Sequence, residues 1–258
     1  MSSSGSAINV AILGTAGSGK TTLVSSFGRW LTERCHYRVG YINLDPACLE
    51  TPFNPDFDVR SMFTTSEIMM REKLGPNAAI VRCSDLMAER ADEIANSIAN
   101  LDVDFRLIDT PGQTEIFVFR NSGPRIMKAL THREYTVSVM LFDKTLTATP
   151  MDIATAQLMT LVVQLRIGIP MVTAVSKAEL PLNSDIDTLL SNQTLLAEAI
   201  QKEWQGGAYK DMSLEIPSII KAFKPPIRII ATSAITGKGF DDLLDIINET
   251  CCACGDLT

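Results

Sequence analysis

Cysteine, histidine and long apolar runs are all scarce in this chain, and each scarcity removes a class of protein. The six cysteines stand singly (Cys35, Cys48, Cys83) or crowd near one end (Cys251, Cys252, Cys254). A chain of 258 residues can bury enough core to fold without disulfide staples. Reduced thiols in a cytoplasm are therefore expected. With only His36 and His132 available, the pair Cys251 and Cys254 lacks a second close pair to complete a tetrahedral zinc site. A packing role for that tail, residues 249–258, is favoured, with a metal shared across a dimer as the minority alternative. No run reaches bilayer length. The start, MSSSGSAINVAILG, has no basic residue ahead of its apolar run and does not read as a secretory signal. Without such a signal the Asn192-Gln193-Thr194 sequon carries no weight. Positive charge is also short: 23 basic against 30 acidic side chains leave a net charge of −7. That argues against broad electrostatic capture of nucleic acid or anionic membrane and leaves room only for a local basic groove, so neither is an expected partner. No internal repeat or low-complexity linker divides residues 1–258, and a single domain is expected.

What is present is strand-helix alternation. AINVAIL, RVGYIN, VDFRLID, YTVSVMLF, PMVTAV and IRIIAT are short, β-branched and nearly continuously apolar, as strands buried on both faces are. Between them Lys20–Cys35, Ser84–Leu101, Met151–Ile167, Asp185–Trp204 and Gly239–Asn248 read as amphipathic helices. The expected class is α/β: a doubly wound, mostly parallel sheet with helices on both faces. Leu44–Arg60 is the longest irregular candidate, and QGGAY near residue 205 should interrupt a helix. Gly75-Pro76-Asn77 reads as a rigid polar turn between packed elements. The apolar stripes of Met151–Ile167 and Ser213–Phe223 read as core, the second also as a groove for an apolar partner segment.

One motif fixes the chemistry. GTAGSGKT, Gly14 to Thr21, matches G-x-x-x-x-G-K-S/T between an apolar run and a helix-like stretch. Gly14, Gly17 and Gly19 let the backbone bend so that successive N–H groups, including those of Ser18 and Thr22, face a phosphate. Lys20 should reach the β- and γ-phosphates and the Thr21 hydroxyl should ligate Mg2+. This makes the fold a P-loop NTPase. Asp109, ending VDFRLID, can hold the same Mg2+ through water, and Gln113 can orient an attacking water. Asp45, ending YINLD, should emerge beyond a strand's carboxyl end, where ligands of open α/β sheets sit. It is the expected base or positioner for hydrolytic water. Ser176-Lys177-Ala178-Glu179 stands where guanine-binding P-loop proteins carry N-K-x-D. Glu179 can accept from guanine N1–H and the exocyclic amine while the Lys177 stem covers the ring. Ser233-Ala234 offers a backbone N–H to guanine O6. GTP and GDP are thus the expected substrate and product.

In the order GTAGSGKTT, NLDPA, GPNAAI, IDTPGQ, SKAE and TSA, the chain resembles the GPN-loop GTPases, and its tail CCACGDLT is similar to that of archaeal members. Ser176 and Glu179 depart from the usual Asn and Asp. The resemblance implies Mg2+-dependent GTP hydrolysis in a homodimer. Gly75, Pro76 and Asn77 of an insertion around residues 73–79 would enter the partner's site and act there with Lys20, Asp45 and Gln113. It further implies a nucleotide-gated switch or assembly factor for a client protein, linked in eukaryotic relatives to RNA polymerase. Metal-centre insertion is the alternative function.

Overall fold

A computed structural model describes residues 7–180, 188–190, 192–203, 215, 219 and 229–255 of the chain. Seven strands form one sheet in the order β3-β2-β4-β1-β5-β6-β7, and every pair is parallel. They are β1 Ile8–Gly14, β2 Val39–Asn43, β3 Phe57–Asp58, β4 Phe105–Asp109, β5 Thr136–Asp143, β6 Met171–Ser176 and β7 Ile229–Ala231. The helices are α1 Lys20–Cys35, α2 Thr65–Glu72, α3 Pro76–Glu89, α4 Ala91–Ala99, α5 Thr114–Phe119, α6 Ser122–Thr131, α7 Pro150–Ile167, α8 Gln193–Glu203 and α9 Phe240–Gly255.

The continuous apolarity of the strands has a direct cause: both faces are covered. On β1, Val10 and Ile12 pack into a core with Leu23, Phe27 and Leu31 of α1 and Leu243 and Ile247 of α9. Ala11 and Leu13 point into the opposite core, with Ile68, Met87, Ile94, Ile126 and Met127 from α2, α3, α4 and α6. Alternate residues serve alternate layers, so neither set can be polar. This is the doubly wound α/β architecture the pattern implied, with no antiparallel edge among the described strands.

Several local expectations are corrected. The helix expected over Ser84–Leu101 is two helices, α3 and α4, which meet at Arg90; its backbone (φ −104°, ψ 20°) breaks the helical path. Gly75-Pro76-Asn77 is not a free-standing turn but the start of α3: Gly75 is the N-cap and Pro76 opens the helix. Proline suits that position because its missing N–H has no helical partner there anyway. The chain reverses one step earlier, at Lys73, whose φ of 53° ends α2. Finally, the segment Leu44–Arg60 is not wholly irregular, since Phe57–Asp58 adds a short edge strand to β2. The tail expected from residue 249 continues α9 as far as Gly255. Residues 205–209, most of the Ser213–Phe223 stripe and the side chains of Cys252 and Cys254 lie outside the described set.

Candidate functional site

The site sits at the carboxyl ends of β1, β2 and β4, where the order reverses around β1. Gly14 ends β1 with φ 155°, and a Cβ there would lie 2.3 Å from the Leu141 carbonyl oxygen, so glycine alone fits. Gly17 and Gly19 have φ 75° and 89°, which curls Thr15–Gly19 over the head of α1. That helix begins with no side-chain cap, leaving its first N–H groups to the loop's concave side. Ser18 is fully buried and Thr22 is exposed on the first turn. The hydroxyls of Ser18 and Thr15 are buried with no hydrogen-bond partner, a costly arrangement unless the loop encloses something polar.

Lys20 is only 6 % exposed, and its Nζ donates to the Gly14 and Thr15 carbonyls at 2.8 and 3.2 Å. Burial lowers its pKa, opposed by the charges of Asp109, Asp45 and Glu115. The Thr21 hydroxyl donates to Asp109 Oδ2 at 2.7 Å, while Asp109 Oδ1 is buried without a partner. Burial raises the Asp109 pKa to about 6; the Thr21 hydrogen bond and Lys20 act in the opposite sense. A hydroxyl beside a desolvated carboxylate with one open oxygen is a hard-oxygen donor set, the kind that Mg2+ takes. The residues fit that ion.

Across the cleft, Asp45 accepts the Gly112 N–H on Oδ2 at 3.0 Å and the Ala47 N–H on Oδ1 at 2.9 Å. Gln113, the N-cap of α5, is exposed. Two hydroxyls fasten this loop to β1: Thr110 donates to the Ile12 carbonyl at 2.7 Å, and Thr114 donates to the Gly14 carbonyl. Sequence reasoning passed over both, although they flank the Pro-Gly-Gln turn it singled out. Gly75, Pro76 and Asn77 are exposed, and no hydrogen bond among the described residues joins Asn77 to Lys20, Asp45 or Asp109 of its own chain.

The expected base-binding residues gather farther along the same edge, at the ends of β5, β6 and β7. Lys177 has φ 59° and pairs with Asp143. For Asp143, burial pushes the pKa up, but the Lys177 ammonium and the Thr145 donors outweigh it and hold the carboxyl low. Glu179 is exposed. Ser176 points back, donating to the Phe142 carbonyl at 3.2 Å. The Ala178 N–H donates to the Thr232 carbonyl at 3.0 Å, which ties the Lys177 loop to the one carrying Ser233 and Ala234. Ser233 is fully buried and Ala234 half-buried. Asp143 was missed, yet its signal matched that of Asp109: an acid directly ending an apolar run.

A separate cleft of about 770 Å³ lies between α1 and β2, lined by Arg29, His36, Tyr41 and Phe53 among others. Chemistry separates the two, because three buried oxygens without a hydrogen-bond partner, on Thr15, Ser18 and Asp109, cluster at the glycine loop and the end of β4.

A family model described as a conserved hypothetical ATP binding protein matches residues 12–253. The chain is 38 % identical to GPN-loop GTPase PAB0955 of Pyrococcus abyssi, an alignment covering 96 % of this chain and 99 % of that protein. It is 29 % identical to GPN-loop GTPase 1 of Dictyostelium discoideum over 93 % of this chain, which spans 60 % of that longer relative. The crystal structure of PAB0955, described as a GTPase in apo form, superimposes with a TM-score of 0.85 at 35 % identity, covering 95 % of this chain and 98 % of that one.

Proposed function

The chain belongs to the GPN-loop GTPase family, and on that premise we propose that it hydrolyses GTP to GDP and phosphate in a homodimer, with Asn77 of each subunit serving the site of the other. The observation that carries this reading is the convergence of Lys20, Thr21, Asp109 and the Asp45–Gly112 pair around buried oxygens that lack partners.

Lys20 exchanges its two carbonyl partners for the β- and γ-phosphate oxygens, a stronger charge-assisted contact. Amides of the Gly14–Thr22 loop and the head of α1 grip the remaining phosphate charge. Thr21 and Asp109 would hold Mg2+, which supplies neutralisation of charge developing on the bridging phosphate oxygens. Asp45 accepts a proton from, or aligns, the attacking water, and Gln113 orients that water from its exposed position. The Gly112 N–H exchanges its Asp45 partner for the γ-phosphate, which frees the Asp45 carboxylate to face the attacking water.

Between purines, hydrogen-bond chemistry favours guanine. Glu179 accepts from N1–H and the exocyclic amine, whereas adenine would leave that carboxylate facing an unprotonated ring nitrogen. The Lys177 stem covers the ring, and the Ala234 N–H meets O6.

The trans role draws support from the shape of the Gly-Pro-Asn segment. Pro76 brings no N–H, and the Ala79 N–H is already taken by the Gly75 carbonyl at 2.9 Å. That leaves the N–H groups of Asn77 and Ala78 exposed at an uncapped helix start with no acidic residue in its first turn. Such an end attracts negative charge, and α3 behind it is rigid, so little order is lost on docking.

The biological output is a nucleotide-gated switch acting on a client protein in a cytoplasm, a setting that the unbridged Cys35, Cys48 and Cys83 support. No helix among the described residues is long and apolar enough to cross a membrane. Among those residues no group of three His, Cys, Asp or Glu is placed to hold a metal, so no observation favours the metal-insertion alternative.

Mixing Lys20→Ala with Asn77→Ala subunits tests the reading. Each homodimer should be inactive, and verified exchange should restore one complete site per hybrid. Verified exchange without recovery rejects the trans role.

A further inference from the structure

We infer that Arg60 is a positioning residue for hydrolysis, acting through Asp58 and Asn43 to set the Asp45 carboxylate against the Gly112 N–H. The inference rests on the role of Asp45 proposed above and identifies what aims it.

The chain of contacts is continuous. Asn43, the last residue of β2, is fully buried. Its Oδ1 accepts the backbone N–H of Asp45 at 3.0 Å, and its Nδ2 donates to Asp58 Oδ1 at 3.0 Å. The amide orientation is forced by its partners, since a backbone N–H can only donate and a carboxylate only accept. Asp58 stands opposite Asn43 in the β2–β3 register, which is why these two side chains meet. Arg60 then grips Asp58 with its fork: Nε reaches both carboxylate oxygens at 3.0 Å and Nη2 reaches Oδ2 at 2.6 Å. Its remaining arm, Nη1, donates to the carbonyls of Cys48 and Leu49 at 3.2 and 2.8 Å.

One guanidinium therefore holds both ends of the segment that carries Asp45. Asp58 anchors it to the sheet, and the Cys48 and Leu49 carbonyls pull in the loop that leaves Asp45. At 22 % and 19 % exposure the Arg60 and Asp58 side chains are largely out of water, where a bidentate pair is directional. Lysine, a point charge, cannot serve both jobs. Asp45 itself has few restraints of its own: an Asx turn to Ala47 and the Gly112 N–H. Its aim depends on the strand end behind it. Misplacing a reacting group by about 1 Å costs on the order of a hundredfold in rate.

A loop staple with no bearing on the reaction would predict lost stability and weaker nucleotide binding instead. Four full-length proteins separate the two: Arg60→Gln, Asp58→Asn, Asp45→Ala and Arg60→Gln in the Asp45→Ala background. Each is measured for kcat and KM with GTP and for affinity toward a fluorescent GDP analogue. Arg60→Gln and Asp58→Asn should each lower kcat about 10- to 100-fold, with GDP affinity changed less than about threefold. Added to Asp45→Ala, Arg60→Gln should lower kcat no further, because two groups acting through one contact are not additive. Should Arg60→Gln fail to fold, Asp58→Asn, which keeps the shape of the side chain, carries the same comparison. An undiminished kcat in the single variants, or an equal further fall in the Asp45→Ala background, overturns the inference while leaving Asp45 in place. If Asp45→Ala itself turns over normally, the proposed role of Asp45 falls and takes this inference with it.

Discussion

Replacing Asp109 with asparagine should make the nucleotide-free protein more stable while abolishing its use of Mg2+. Asp109 is 1 % exposed with one oxygen unpartnered, and its pKa is raised from 3.8 to about 6. Roughly two units at about 1.4 kcal/mol each mean that holding this carboxylate charged costs the folded state about 3 kcal/mol at neutral pH. The amide removes that cost but accepts the Thr21 hydrogen bond without charge assistance, a loss of about 1 kcal/mol. The net gain is about 2 kcal/mol, or about 4–8 °C in Tm for a chain of this size. The sign has a definite pH course. A carboxyl with a raised folded pKa favours the fold fully below its unfolded value, and that advantage is lost as pH rises through about 6. In EDTA, the stability gap between Asp109→Asn and wild type should therefore be small at pH 5 and full at pH 7.5. With GDP and Mg2+ added, the order should reverse, because only the wild type gains the extra binding stabilisation. Thermal unfolding at the two pH values, with and without Mg2+ and GDP, reads all of this. A variant less stable at both pH values in EDTA, or a gap that does not change with pH, refutes the reasoning.

Two further outcomes follow from single contacts. Glu179→Ala should weaken GDP binding about 10- to 100-fold, the value of hydrogen bonds to a charged acceptor, and leave ADP affinity unchanged; equal losses for both nucleotides in a competition assay would remove Glu179 from base selection. Gly239→Ala should destabilise the chain by more than about 3 kcal/mol, since φ is 78° and a Cβ would lie 2.2 Å from the Ala231 carbonyl oxygen; a Tm within about 2 °C of wild type would show that the loop after β7 can shift.

What could be read from sequence, and what could not, divides along a physical line. Buried parallel strands announce themselves because residues such as Val10 and Ala11 face opposite cores and both must be apolar. The phosphate loop is legible for a similar reason: its conformation depends on glycines at positive φ, where side chains are strained, and at Gly14 also on the lack of a Cβ. α5 and α6 escaped notice because they are only 6 and 10 residues long, too short for a 3.6-residue period to stand out. The break at Arg90 was hidden by amphipathic stripes that continue in register across it, from Met87 through Ala91 and Ile94 to Ile98.

The same line explains why the Gly-Pro-Asn segment was misjudged in form. Glycine and proline side by side signal both a turn and a helix start, and only tertiary packing selects between them. Here Ala79, Cys83 and Met87, spaced four apart, bury one face from the first turn onward, so the helix begins at Pro76. The Arg60–Asp58–Asn43 chain lay further out of reach. Two of its three residues sit within two positions of each other, but the link to Asn43 exists only because a two-residue strand pairs with β2 fifteen positions earlier. No local period marks a strand that short; its evidence is the polar pair it brings together. Where function depends on such a pairing, the sequence carries the donors and acceptors in plain view, and only the register shows which of them meet.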